Sequence, residues 1–120
     1  MAVGTVLVVD DDASIVHFLG MALEDAGYTV LAAVGGEALR VAHDRHPDVI
    51  LLDLMMPGMD GIEVSQRLRA DPATAAIPII AMSAQERLRA SGSLLPVNDR
   101  LPKPFEVPHL YATVERWIRA

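Results

Sequence analysis

The chain contains no cysteine. Disulfides, thiolate catalysis and cysteine-based zinc sites are thereby excluded. Lysine is nearly absent: of the 10 basic residues nine are arginine, and the single lysine is Lys103. Positive charge is scarce altogether, with 10 Lys and Arg against 16 Asp and Glu and a formal net charge of -6. A direct nucleic-acid partner is not expected, because phosphate backbones call for clustered basic side chains. Long apolar runs are missing too. No stretch approaches the roughly 20 residues of a membrane-spanning helix, so no membrane partner is expected. The N-terminus shows no basic segment followed by a long apolar run, so no secretory leader is expected either. A cytoplasmic location follows by elimination.

What is present reads as globular. The 120 residues are 52% hydrophobic and 22% charged. That length is enough for one real core, and a single domain over 1–120 is expected. No internal repeat, linker or low-complexity tract interrupts it.

Short apolar runs alternate with segments of helical period. Thr5-Val-Leu-Val-Val9 predicts a buried strand that stops at Asp10-Asp-Asp12. From Ala13 to Ala26, Ile15, Phe18, Leu19, Ala22, Leu23 and Ala26 form one apolar stripe of a helix, with Gly27 as its stop. Tyr28 to Ala33 predicts a second strand, and Glu37 to Arg45 a helix ended by His46-Pro47. Val49 to Leu52 is a third strand, again running into an acid, Asp53. Met56-Pro-Gly-Met-Asp-Gly61 is loop chemistry before a helix from Ile62 to Ala70. Ile77 to Met82 predicts a fourth strand with Pro78 near its start, Ala84 to Ser91 a short helix, and Asp99 to Leu101 a brief fifth strand. Val107, Leu110, Val114 and Ile118 mark a last amphipathic helix.

Five strands alternating with five helices imply an α/β fold with a parallel sheet covered on both faces, a three-layer α/β/α arrangement. In such sheets ligands bind outside the carboxyl ends of the strands, near a topological switch point. The residues at those ends are Asp10 and Asp11, Asp53, Ser83 and Lys103. Taken singly, each has a plainer role. The acids at 10–12 suit a helix N-cap, Asp53 a turn, and Lys103 a solvated surface. Taken together, they suit a hard cation and a phosphoryl group. Asp oxygens fit Mg²⁺, which binds one or two carboxylates plus waters and phosphate oxygens. A carboxylate is a competent nucleophile toward phosphorus, and the transferred group's charge calls for a cation and hydroxyl donors. Lys103 and Ser83 would supply those.

At these residues the chain resembles the receiver domains of bacterial two-component response regulators. The motifs are Val-Leu-Val-Val-Asp-Asp at 6–11, Pro-Asp-Val-Ile-Leu-Leu-Asp-Leu-Met-Met-Pro-Gly-Met-Asp-Gly at 47–61, Ile-Pro-Ile-Ile-Ala-Met-Ser-Ala at 77–84 and Leu-Pro-Lys-Pro-Phe at 101–105. The resemblance implies a flavodoxin-like, doubly wound five-stranded sheet in the order 2-1-3-4-5. It implies that Asp53 is the phosphoacceptor and that Asp10, Asp11, Asp53 and the backbone carbonyl of Met55 hold Mg²⁺, with Mn²⁺ as a substitute. Asp12 enters that set only if the register shifts by one. Ser83 and Lys103 would contact the phosphoryl group, with Lys103–Pro104 as a cis peptide. The implied partner is a sensor histidine kinase or phosphotransfer protein, with a homodimer through the face of the fourth helix, fifth strand and fifth helix. Side chains at 55 and 85 tune loss of the phosphoryl group in this family. Met55 and Gln85 imply slow to moderate self-dephosphorylation.

The chain also departs from the family. Arg100 stands where an aromatic switch residue is usual, and Pro96-Val97 replaces a small pair. The spacing from Ser83 to Lys103 is shorter than usual, which implies a short or irregular fourth helix. Arg100 is therefore expected to face solvent and to weaken aromatic-coupled switching. Two other functions are open at this stage. A degenerate receiver would act as a phosphorylation-independent interaction module. An aspartyl-phosphate phosphatase would use an Asp-x-Asp motif, which Asp10 and Asp12 match superficially. The histidines His17, His43, His46 and His109 show no metal-ligand pairing and read as surface residues, with His43 and Asp44 pointing apart. Tyr111 and Trp117 read as packing residues.

Overall fold

Four segments rich in Val, Ile, Leu or Ala and a more polar fifth assemble into one parallel sheet. The structure is a computed structural model that describes residues 4–56, 60–84, 88–89 and 96–118. Its strands are β1 (Thr5–Val9), β2 (Thr29–Ala33), β3 (Val49–Asp53), β4 (Ile79–Ala84) and β5 (Asp99–Lys103). They lie in the order β2-β1-β3-β4-β5, all neighbours parallel. Four helices lie wholly within the described residues: α1 (Ala13–Asp25), α2 (Glu37–Arg45), α3 (Gly61–Ala70) and α4 (Val107–Ile118). The short helix expected from Ala84 lies largely outside the described residues. Ala84 itself ends β4, while Leu88 and Arg89 are helical. None of the described helices is long and apolar enough to cross a membrane.

Strand alternation sends side chains to two separate cores. Val6 and Val8 join Leu19 and Leu23 of α1 and Leu110 and Val114 of α4 on one face. Leu7 and Val9 join Ala38 and Ala42 of α2 and Val64 and Leu68 of α3 on the other. The central strands are buried on both faces, which is why they read as unbroken apolar runs. Each fully buried Leu or Val contributes about 1.5–3 kcal/mol relative to exposure.

Several boundaries moved. β4 begins two residues later than expected, at Ile79, because Pro78 has no N–H and stands just before the ladder, accepting from Ile50 N–H at 2.9 Å. It then runs on through Ser83, and β5 runs on through Lys103. Phe18 leaves the buried stripe of α1 and is 47% exposed, while Val16 packs against the core. The buried centre lies between Leu19 and Leu23, and Phe18 is turned about 100° from Leu19. His43 and Asp44 do not point apart: Nδ1 and Oδ1 lie 3.2 Å from one another on the exposed end of α2. Gly27 ends the turn after α1 in a left-handed conformation, φ 99°.

Candidate functional site

β1 and β3 are adjacent, and the connections from them leave the sheet toward opposite edges. Their carboxyl ends therefore face a crevice that no crossover helix fills. A pocket of about 550 Å³ opens there, lined by Asp10, Asp11, Asp53, Met55, Ser83 and Lys103 among others. All the residues expected at the strand ends are brought together, while Gln85, expected to tune dephosphorylation, lies outside the described residues. Pro57, Gly58 and Met59 of the loop motif lie outside them as well.

The three acids after β1 divide their work. Asp12 caps α1, its Oδ1 accepting from the N–H groups of Ser14 at 2.9 Å and Ile15 at 3.4 Å. Asp10 turns inward and is buried, with Oδ1 accepting from Asp12 N–H at 2.9 Å. Asp11 is exposed at the rim of the pocket. One oxygen each of Asp10, Asp11 and Asp53 lie within 4.8 Å of one another.

Asp53 ends β3 and is buried at 4% exposure. Its Oδ1 accepts from Met55 N–H at 3.2 Å and lies 3.4 Å from Lys103 Nζ. Lys103 also approaches Asp10 Oδ2, at 3.7 Å, an ion pair too long for a hydrogen bond. Burial raises the Asp10 pKa above its ordinary value, and the charge of Asp53 adds to the rise; the Asp12 N–H and the Lys103 ammonium oppose it without cancelling it. Three carboxylates thus face a single ammonium. Asp10 Oδ2 and Ser83 Oγ are both buried without a hydrogen-bond partner. Unsatisfied buried polar atoms are costly, so two of them in one pocket mark where a ligand belongs. A divalent cation fits the carboxylate side, and an anion's oxygens fit the side of Ser83 and Lys103. The Lys103–Pro104 peptide is cis.

Arg100 is exposed on β5 and makes no contact with this pocket. Behind it, Asp99 Oδ2 accepts from Arg116 Nη1 at 2.7 Å and from Trp117 Nε1 at 2.8 Å, tying α4 to β5. Sequence reasoning missed this tie, because nothing in the spacing pairs Asp99 with Trp117. It also missed the seat of Gly61 against β3. The only signal was a glycine at the loop-to-helix junction.

These features are those of a known family. Residues 6–115 match the response regulator receiver domain, and the chain belongs to that family. It is 42% identical over 118 residues to the phosphate regulon transcriptional regulatory protein PhoB of Pseudomonas aeruginosa, covering 96% of this chain and 52% of that protein. It is 40% identical over 119 residues to the DNA-binding dual master transcriptional regulator RpaA of Synechocystis, covering 95% and 48%. The chain thus spans about half the length of these curated relatives. Among solved structures it is similar to the receiver domain of the sensor histidine kinase PA1611 from Pseudomonas aeruginosa, which has a magnesium ion coordinated in its active-site cleft. The TM-score is 0.91 at 30% identity, over 98% of both chains. The chemotaxis protein CheY4 of Vibrio cholerae gives a TM-score of 0.84 at 34% identity, again over 98% of both. Receiver domains are signalling domains, and the phosphoacceptor function of two-component systems is the function of this family. No finding favours the interaction-module or phosphatase alternatives.

Proposed function

We propose that this chain is one receiver domain over 1–120 in which Asp53 accepts a phosphoryl group from a phosphohistidine of a sensor histidine kinase or phosphotransfer protein. The observation that carries this reading is the setting of Asp53. Its carboxylate stands at the mouth of β3 beside Lys103, with Asp10 and Asp11 within reach of a shared cation. An Asp53 carboxylate oxygen forms the new O–P bond as the P–N bond to the donor imidazole breaks, and the electron pair leaves on that nitrogen. Asp10, Asp11, Asp53 and the Met55 carbonyl would hold Mg²⁺ or Mn²⁺. When bound, the ion neutralises charge on the phosphoryl oxygens. Lys103 holds its ammonium beside the acceptor as a point charge for a phosphoryl oxygen. Ser83 offers an unpaired hydroxyl as a second donor.

The domain changes conformation on phosphorylation and so regulates a partner or output domain. It is not an enzyme acting on a separate substrate, although it promotes its own phosphorylation from small phosphodonors and its own dephosphorylation. The thioether of Met55 cannot orient water, which supports a slow to moderate loss of the group; a phospho-lifetime of seconds contradicts that. A cytoplasmic location and a homodimer through the face of the expected helix after β4, with β5 and α4, belong to the same reading.

The test is intact-protein mass spectrometry after incubation with acetyl phosphate and Mg²⁺. One phosphoryl group is expected on the wild type and none on Asp53→Asn. No mass gain in the wild type favours a phosphorylation-independent interaction module.

A further inference from the structure

The tightest steric constraint beside the acidic cluster is at Gly61, the first residue of α3. A methyl group built on it would stand 2.5 Å from the carbonyl oxygen of Asp53, 2.6 Å from Leu54 Cα and 2.9 Å from Leu54 Cδ2. Two of these three atoms are main chain and have no rotamer to escape to. The Gly61 N–H donates to the Leu54 carbonyl at 3.2 Å. The first turn of α3 therefore sits directly on the peptide joining Asp53 to Leu54. The demand is for close approach, since Gly61 is not among the residues of positive φ. Gly20, within α1, differs: a methyl group there would meet nothing within 4 Å.

The peptide under Gly61 lies between two residues of the pocket. Asp53 lies on one side of it, and Met55 begins one residue beyond, tied back by its N–H to Asp53 Oδ1. A side chain at position 61 has to push that peptide away from α3, and Asp53 and Met55 move with it relative to Asp10 and Asp11. We propose that Gly61 is a positioning residue for the cation site: its missing side chain lets α3 set the separation between the Met55 carbonyl and the carboxylates. This rests on the Mg²⁺ reading given above.

The test is the Mg²⁺ affinity of the unphosphorylated protein, measured by calorimetry alongside thermal melting. Gly61→Ala is expected to weaken Mg²⁺ binding by roughly tenfold or more, the range seen when the supports of metal ligands are removed. Gly20→Ala is expected to bind as the wild type does. Leu68→Ala, buried at the other end of α3, is expected to lower the melting temperature while leaving the affinity within about twofold. Equal affinities for Gly61→Ala and a Mg²⁺-binding wild type overturn the proposal and leave the Mg²⁺ reading standing. A wild type that binds no Mg²⁺ overturns the reading and the proposal together. Should Gly61→Ala not fold, hydrogen exchange of the Gly61 amide in the wild type decides. Mg²⁺ is expected to slow it, because coupling between ligand and seat is reciprocal. An unchanged rate overturns the proposal.

Discussion

Lys103 Nζ lies 3.4 Å from Asp53 Oδ1, although the two residues are 50 positions apart in the chain. The contact follows from sheet order. β4 pairs with both β3 and β5, in a register that sets Asp53 against Met82 and Ala84 against Lys103. Two parallel strand ends thus bring the chain's single lysine to the Asp53 carboxylate.

Removing that ammonium is expected to slow phosphorylation by acetyl phosphate roughly 10²-fold, the scale of losing one preorganised electrostatic partner. The comparison is the rate of phosphoryl gain by mass spectrometry for wild type and Lys103→Met. Lys103→Arg is expected not to restore it, because a planar guanidinium fork does not reproduce a compact point charge. Equal rates in Lys103→Met would remove Lys103 from the chemistry.

Asp99 predicts an acid-range effect on stability. Burial opposes its ionisation, but hydrogen bonds from Trp117 Nε1 and the Arg100 N–H, with the charge of Arg116, outweigh it and hold the pKa below the ordinary value of 3.8. A depressed folded-state pKa contributes stability in full above the unfolded-state value, and that stability is lost as pH falls through the folded one. Asp99→Asn is therefore expected to be less stable than wild type at neutral pH. The gap should narrow once pH drops below about 4. Urea denaturation followed by fluorescence of Trp117 reads it directly. A gap independent of pH would show that the carboxylate's charge contributes nothing.

Among the described residues, Arg69 is a half-buried guanidinium whose partners are uncharged. It donates to the carbonyls of Pro96 at 3.0 Å, Ala75 at 2.9 Å and Ile77 at 2.8 Å, and to Asn98 Oδ1. Burial lowers its pKa from the ordinary value. Asn98 Oδ1 also accepts from Ile79 N–H at 2.9 Å, so one clasp joins the end of α3 to the starts of β4 and β5. Arg69→Ala is expected to cost about 2 kcal/mol, because several acceptors lose their donor at once. Mg²⁺ affinity should hold, since the clasp lies at the opposite ends of the strands from the pocket. Urea midpoints and calorimetry separate the two effects.

Arg100 is exposed on β5, at the position where the family resemblance implies a switching aromatic. An Arg100→Tyr variant is expected to show larger amide shift differences along α4 between phosphorylated and unphosphorylated states than wild type shows. Differences no larger than the wild type's would argue that aromatic coupling is not what this chain lacks.

Much of the fold and of the pocket is legible in the sequence. The unbroken apolar runs of β1 and β3, the period near 3.6 in the helices, and the acids closing strands one and three are local properties. Local sequence determines them because side-chain direction repeats along a strand or helix. That is why the sheet and the membership of the pocket could be read from the chain. Phe18 falls outside the core because the buried stripe of α1 is centred between Leu19 and Leu23, on the side of Val16.

Other features were settled by the tertiary structure alone. It divided Asp10, Asp11 and Asp12 into inward carboxylate, rim and helix cap, because the outcome depends on where β1 stops relative to α1. It paired Asp99 with Trp117 and gathered four acceptors around Arg69, contacts between residues that no periodic rule relates. It also pressed Gly61 onto the Asp53 carbonyl, a matter of interatomic distance that a glycine in a sequence does not disclose. Chemistry written in residue types and spacing could be read from the chain by itself. Separations, burial and unsatisfied atoms arise only when distant segments pack, so the structure had to supply them.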